Sequence, residues 1–156
     1  MNTIKIALCQ MNVVDNKEKN IEKAIQMIKE SKKQGADLAV LPEMFNCPYE
    51  NEKFIEYAER LEDSKTLNEI ANVAKEENIH VLAGSIPELE RDDENDTDSI
   101  YNTAVFFDND LNITDEVRKP FLAEGFGQGH LSGLNKDNNF LYFWGVSAAE
   151  HWAMEA

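Results

Sequence analysis

The sequence contains few cysteines and no long apolar run. Cys9 and Cys47 are its two cysteines, so it can form at most one disulfide bond and is not a disulfide-rich secreted domain. No segment approaches the roughly 20 apolar residues that cross a bilayer. The first residues also lack the apolar core of a signal peptide. We therefore expect free thiols, a location in the cytosol and no membrane partner.

Basic residues are scarce as well. The 15 lysines and arginines are outnumbered by 30 aspartates and glutamates, which gives a formal net charge of −15. Because such a surface repels phosphate, nucleic acid is not an expected partner. With 156 residues, of which 42% are hydrophobic, the chain can bury about two thirds of its unfolded surface in one core. A soluble globular protein is expected rather than a disordered one.

Apolar runs alternate with helical periods along much of the chain. The run at residues 4–9 predicts a buried strand, and Asp15 and Glu18 have the capping-box spacing of a helix start. This helix should end at Gly35, since glycine is favoured just past a helix end. A second buried strand at residues 38–41 completes a β-α-β unit, which implies parallel neighbours in one sheet.

The middle of the chain adds one more helix and three strands. Ser64 can cap the helix, and a strand at residues 79–84 follows it. Residues 101–107 form a fourth strand, joined by a hairpin to a fifth that runs toward Arg118 and Lys119. The sequence therefore predicts a layered α/β domain with a mixed sheet.

A carboxylate follows the end of the second predicted strand. There the apolar run is followed by Pro42 and Glu43. A carboxylate at the end of a buried strand can lose its contact with water, which raises the pKa of such a group. It can then accept and return a proton near neutral pH. Glu43 is therefore a candidate general base. The alternative is a capping or salt-bridged glutamate after an ordinary strand.

An acidic run at residues 88–98 separates the third and fourth predicted strands. Its alternation is weakly similar to a calcium-binding loop, and a calcium-binding protein is one alternative. The required turn glycine and closing glutamate would fall on Thr97 and Thr103, however. We therefore predict a solvated surface insertion and no metal site.

The chain changes character after Leu122. Five of its seven glycines and both tryptophans lie beyond this residue. Gly125, Gly127 and Gly129 resemble a phosphate-binding loop only superficially, because no Gly-Lys-Ser/Thr follows them. No cofactor is predicted from this segment.

Several motifs in one order resemble the nitrilase superfamily, the carbon–nitrogen hydrolases. The resemblance runs from about residue 4 to residue 122. We therefore interpret residues 1–122 as the N-terminal part of a carbon–nitrogen hydrolase domain and residues 123–156 as a divergent or unrelated tail. The motifs are residues 5–10, Asn20-Ile21, residues 35–43, Phe45-Asn46-Cys47-Pro48-Tyr49 as in the omega-amidase branch, residues 82–86, residues 101–107 and Arg118-Lys119.

The resemblance implies a fold, a reaction and two site residues. The fold is an α-β-β-α sandwich, of which this chain would form a part, and the reaction is hydrolysis of a non-peptide amide bond by a Glu-Lys-Cys triad without a cofactor. By resemblance Glu43 is the general base and Lys119 is the cation that stabilises the tetrahedral oxyanion. Their side chains should then approach within about 4 Å. If the resemblance is left aside, the alternative interpretation of Lys119 is an exposed lysine at a strand end.

The nucleophile of the triad is missing from its expected place. In the family it follows the lysine, whereas both cysteines of this chain precede Lys119. Cys9 lies in the first predicted strand as an inert hydrophobe. By resemblance Cys47 belongs to the loop that shapes the pocket, and we expect its thiol pKa near the ordinary value of about 8.5. The alternative is that Cys47, which is close to Glu43 in sequence, serves as the nucleophile.

The function expected from these motifs is that of a truncated hydrolase. Its substrate is a small carboxylic acid monoamide, as for an omega-amidase, and this chain alone should be inactive. The alternative is a catalytically inactive remnant or interaction module of the same fold that pairs with another subunit. The sequence leaves the oligomeric state open, and a homo-oligomer is one alternative.

Missing strands should also leave apolar residues uncovered. We expect exposure of the inner sheet face, with self-association or a loosely packed core as the result. The residues expected on this face are Ile6, Leu8, Val40, Val81, Val105 and Phe107.

Overall fold

A computed structural model of the chain describes residues 3–92, 97–108 and 113–120, the last range by its backbone. It confirms the predicted α/β class. A short 3₁₀ helix, Leu61–Asp63, precedes the last helix. In chain order the main elements are β1 (Ile6–Leu8), α1 (Lys17–Lys33), β2 (Leu38–Val40), α2 (Asn51–Tyr57), α3 (Lys65–Glu77), β3 (His80–Asp92), β4 (Thr97–Phe107) and β5 (Ile113–Pro120).

The described strands form one mixed sheet in the order β1-β2-β3-β4-β5. The first three strands are parallel, and β4 and β5 are antiparallel to their neighbours. Helices α1 and α3 supply the crossovers between the parallel strands, as β-α-β units require. The predicted mixed sheet, with its parallel start and a hairpin after residue 107, is therefore confirmed.

The main core lies between this sheet and helices α1 and α3. Ile28 of α1 and Ile70 of α3 are fully buried, and they belong to one cluster with Val81 of β3 and Phe107 of β4. Both helices carry apolar residues at helical spacing, so each buries one stripe against the sheet. Among the described helices, none is both long and apolar enough to cross a membrane.

The helix termini follow local signals closely. The N-cap of α1 is Asn16, whose Oδ1 accepts the Lys19 N–H at 2.9 Å. The prediction of Asp15 was wrong by one residue, because the Asp15 carboxylate instead accepts the hydroxyl of Tyr57 at 2.6 Å. Gly35 follows the end of α1 with φ of 81°, as predicted. Ser64 also caps α3 as predicted, since its Oγ accepts the Leu67 N–H at 3.0 Å.

The acidic segment is mostly regular β structure. Strands β3 and β4 continue as a paired ribbon to the partners Asp92 and Thr97. Glu90, Arg91 and Asp98 are exposed, as predicted, but Glu88 at the start of the run is buried, and the run is not a separate insertion. The tip at residues 93–96 lies outside the described residues. No group of three or more metal-ligating side chains occurs within the described part of the chain.

The two faces of the sheet differ in solvent exposure. Val81, Val105 and Phe107 are buried, so the prediction that they would be uncovered was wrong. Alternation along each strand places these three residues toward the helices. On β1, by contrast, Ile6 is 48% and Leu8 80% exposed. The apolar face that the described residues leave open is therefore narrower than expected and centres on β1.

Candidate active site

Glu43 lies in a turn directly after β2, with the strained backbone of Met44 following it. Met44 is buried and has φ of 51°, in the left-handed region that non-glycine residues seldom adopt. Such outliers cost free energy and persist only where the surroundings hold them. The turn therefore has a fixed shape, and Glu43 sits half-buried at its start.

Strand β3 holds this turn at two consecutive residues. A Cβ atom added to Gly84 would lie 1.7 Å from the carbonyl oxygen of Leu41, so only glycine fits there. The next residue, Ser85, is buried, and its Oγ accepts the N–H of Met44 at 3.0 Å. The pairing of β3 with β4 shifts register between Ala83 and Ile86, so Ser85 lies in an irregular part of the strand, and such irregularities often adjoin functional sites.

The Glu43 carboxylate is bound by a side chain from β4. Nδ2 of Asn102 donates a hydrogen bond to Oε1 of Glu43 at 2.7 Å. Asn102 is also the register partner of Lys119 in β5. The Lys119 side chain lies outside the described residues, so the approach of Lys119 to Glu43 within about 4 Å stays a prediction. The sequence singled out Asn102 only as one position in the 101–107 motif.

Behind Asn102 lies a buried carboxylate that the sequence did not reveal. Glu88 is 4% exposed, although it opens the acidic run. The hydroxyl of Thr103, itself fully buried, donates to Oε2 of Glu88 at 2.5 Å. Because successive residues of a strand face opposite sides, this bond fixes β4 from the face opposite to Asn102.

Neither cysteine has the features of an activated nucleophile. Burial raises the pKa of the Cys47 thiol to about 12, and the positive charge of Lys17 opposes this only in part. The expectation of an ordinary thiol pKa for Cys47 was therefore wrong, although its assignment as an unactivated thiol agrees. Burial also raises the pKa of Cys9, outweighing its contact with the Ser31 hydroxyl. Cys9 lies just after β1 rather than within it.

The loop after Glu43 is anchored to helix α1 and to the start of α3. The carbonyl of Asn46 accepts Nδ2 of Asn20 at 3.1 Å, and Nδ2 of Asn46 donates to Oγ1 of Thr66 at 3.3 Å. Asn46 is fully buried, and its Oδ1 has no hydrogen-bond partner among the described residues. This loop is held by side-chain bonds rather than by regular secondary structure.

A surface cleft of about 750 Å³ lies beside α2 rather than beside Glu43. Charged side chains line it, and Lys17, Glu59 and Lys65 are ion-paired within the molecule. Glu43 is not among the lining residues. The cleft is therefore a poor candidate for the reaction site.

Comparison with known proteins identifies relatives of this chain. The family model for carbon-nitrogen hydrolase matches residues 5–130. Omega-amidase NIT2 of Mus musculus is 37% identical over 124 residues, which cover 80% of this chain and 42% of the relative. Nitrilase homolog 2 of Dictyostelium discoideum is 39% identical over 120 residues, or 77% of this chain and 35% of the relative.

Solved structures agree with these sequence matches. Nit3 of Saccharomyces cerevisiae, a member of branch 10 of the nitrilase superfamily, superposes with a TM-score of 0.65 at 34% identity, covering 74% of this chain and 44% of that one. The Caenorhabditis elegans NitFhit protein, at 21% identity and a TM-score of 0.61, covers 83% of this chain and 32% of its own and supports the fold alone. The chain spans less than half the length of these relatives. The resemblance and the nitrilase-like fold are thus confirmed, and the chain belongs to the carbon–nitrogen hydrolase family.

Proposed function

We propose that this chain supplies the general base and the oxyanion-stabilising cation of an amide-hydrolysing site of omega-amidase type. Glu43 is the base and Lys119 the cation. One observation carries the proposal: Asn102 is hydrogen-bonded to the Glu43 carboxylate and is also the register partner of Lys119. Register partners in an antiparallel pair lie about 5 Å apart and share a face of the sheet. Both residues therefore border Asn102.

The proposed roles follow from charge and proton transfer. Glu43 takes the proton of the attacking nucleophile, and the ammonium of Lys119 stabilises the negative charge on the former carbonyl oxygen. Glu43 then returns the proton to the leaving nitrogen as the carbon–nitrogen bond breaks, which releases ammonia. Glu43 next takes a proton from a water molecule that attacks the acyl intermediate. The bond between the acyl group and the nucleophile breaks, Glu43 returns the proton to the nucleophile, and the carboxylic acid is released.

The proposed substrate is a small dicarboxylic acid monoamide. This rests on the segment from Phe45 to Tyr49, which has the omega-amidase pattern, and on relatives that carry the omega-amidase name, among them the mouse protein. We place the reaction in the cytosol, in keeping with two free, buried thiols. The net charge of −15 argues against nucleic acid as a partner.

The proposal includes the inactivity of the chain alone. The sequence has no cysteine after Lys119, and Cys47 is 1% exposed with a pKa of about 12. Residues 1–122 would then be the N-terminal part of the hydrolase domain, and residues 123–156 a divergent tail. The second candidate function is an inactive module that pairs with another subunit. It is favoured by the exposed apolar side chains of Ile6 and Leu8.

Complementation distinguishes these two functions. The chain is expressed alone and together with the part of the mouse omega-amidase that the match leaves uncovered. Ammonia release from a series of monoamides is then measured. We expect none from the chain alone, and activity in the complemented pair that is lost in Glu43→Gln and Lys119→Ala. A stable complex without activity would favour the inactive module instead.

A further inference from the structure

We infer that Asn102 and Ser85 are positioning residues that form a clamp on Glu43, one holding its carboxylate and the other its backbone. The inference rests on the proposed function, because it assigns them to the same reaction. Neither residue is a catalytic group in that reaction. Each acts through Glu43, and they reach it from the neighbouring strands β4 and β3.

The carboxylate needs a fixed orientation to transfer a proton. A glutamate side chain has three rotatable bonds, and displacement of a reacting group by 1 Å can cost about 100-fold in rate. Asn102 donates to Oε1 at 2.7 Å, a short distance that is typical of hydrogen bonds to a charged acceptor. This bond leaves Oε2 as the oxygen that exchanges the proton.

The backbone needs support because its conformation is strained. Met44 directly follows Glu43 and has φ of 51° without being glycine. Its N–H is buried and would lack a partner if Ser85 did not accept it at 3.0 Å. The close approach of Gly84 to the carbonyl of Leu41 leaves the turn no room to relax toward β3.

A buried hydrogen bond next to the clamp joins the two strands that carry it. Thr103, next to Asn102, donates to the carboxylate of Glu88 at 2.5 Å on the other face of the sheet. Both residues are buried, and they join β4 to β3 close to the site. The two arms of the clamp are therefore fixed relative to one another.

Nuclear magnetic resonance of the full chain tests the carboxylate arm. The side-chain amide resonances of Asn102 are followed through a pH titration in the original chain and in Glu43→Gln. We expect a titration step in the original chain and its loss in the variant. The carboxamide of Asn72, which is exposed on α3, is the internal control and should not respond to the variant. An Asn102 titration unaffected by Glu43→Gln would overturn this arm.

Hydrogen exchange tests the backbone arm. The substitution Ser85→Ala should speed exchange of the Met44 amide about 10-fold, as loss of one hydrogen bond predicts. The matched variant Ser99→Ala removes an exposed hydroxyl from β4 and should leave this amide unchanged. An unchanged rate in Ser85→Ala would overturn this arm.

Kinetics of the complemented pair connect the clamp to the reaction. Asn102→Ala should lower kcat about 100-fold with little change in KM, whereas Asn72→Ala should not affect either. In Asn102→Asp a second carboxylate faces Glu43, so the pH profile should change as well. Full activity in a folded Asn102→Ala variant would overturn the inference. Intact clamp signals in a pair that releases no ammonia would count against the proposed function and not against the clamp.

Discussion

The ammonium of Lys17 lies 2.8 Å from Oε1 of Glu59 and joins the first turn of α1 to the segment that leads into α3. The same carboxylate accepts the hydroxyls of Thr66 and Ser64 at 2.6 and 2.7 Å. Burial acts to raise the pKa of Glu59, but the ion pair and these hydrogen bonds together hold it below the ordinary value of 4.5. Through Thr66 this network also reaches Asn46, in the loop after Glu43.

The first prediction is a loss of stability in acid that depends on Glu59. Folding lowers the pKa of Glu59 below its ordinary value of 4.5, so the ionised carboxylate stabilises the fold at any pH above 4.5. This contribution is lost as the pH falls below 4.5 and through the lower pKa of the folded state. Urea unfolding at pH 7 and at acidic pH measures the difference. Glu59→Gln should be less stable at pH 7 and should show a smaller acid loss. The exposed Glu22→Gln is the control, and equal profiles for both variants would contradict the prediction.

The second prediction concerns Gly84. In Gly84→Ala the new methyl group would meet backbone atoms of Leu41 and Pro42, which cannot rotate away. We expect a loss of about 3 kcal/mol or more in the free energy of unfolding. Gly35→Ala is the matched control, since φ of 81° strains it but its nearest contact is at 3.9 Å, and about 1 to 2 kcal/mol is expected. Denaturant titration measures both, and a smaller effect at position 84 would show that β3 can move.

The third prediction is that the two thiols react only after unfolding. Cys47 is 1% and Cys9 6% exposed, and burial raises the pKa of both. Iodoacetamide at pH 7 should label neither in the native chain and both in 6 M urea, as measured by mass spectrometry. Rapid native labelling that disappears in Cys47→Ser would contradict this result and make Cys47 a candidate nucleophile.

The fourth prediction concerns the open apolar face. Leu8 is 80% exposed on β1, so the isolated chain should associate through this face. Leu8→Lys should lower the average mass measured by light scattering without lowering stability. Ile55→Lys, at a 72% exposed position on α2, serves as the control and should leave the mass unchanged. If both variants behave alike, another surface mediates the association.

Local signals predicted helices α1 and α3 well, but they missed helix α2 and the extension of strands β3 and β4. Gly35 and Ser64 act through bonds to residues a few positions away, so the sequence around them contains the needed information. Helix α2 was missed because seven residues give too short a helical period. The extension of β3 and β4 was missed because its charged residues form strands only through pairing with one another.

The sequence predicted the general base of the site, Glu43, but not the residues that hold it in position. Glu43 could be selected because it directly follows a recognisable strand. The bonds to Asn102 and Ser85 depend on the register between strands more than 40 positions away in sequence, which no local pattern encodes. Burial of Glu88 depends on the same register, and composition alone favours a glutamate at the surface.

The layer of the core between the sheet and the helices has a consequence for synthesis. Its buried members, as far as the structure describes the chain, all lie between Cys9 and Phe107. A nascent chain can therefore close this layer as soon as Phe107 leaves the ribosome, before Lys119 has been delivered to the sheet. The turn that holds Glu43 then forms early. Lys119 pairs later, with a sheet in which its register partner Asn102 is already in place.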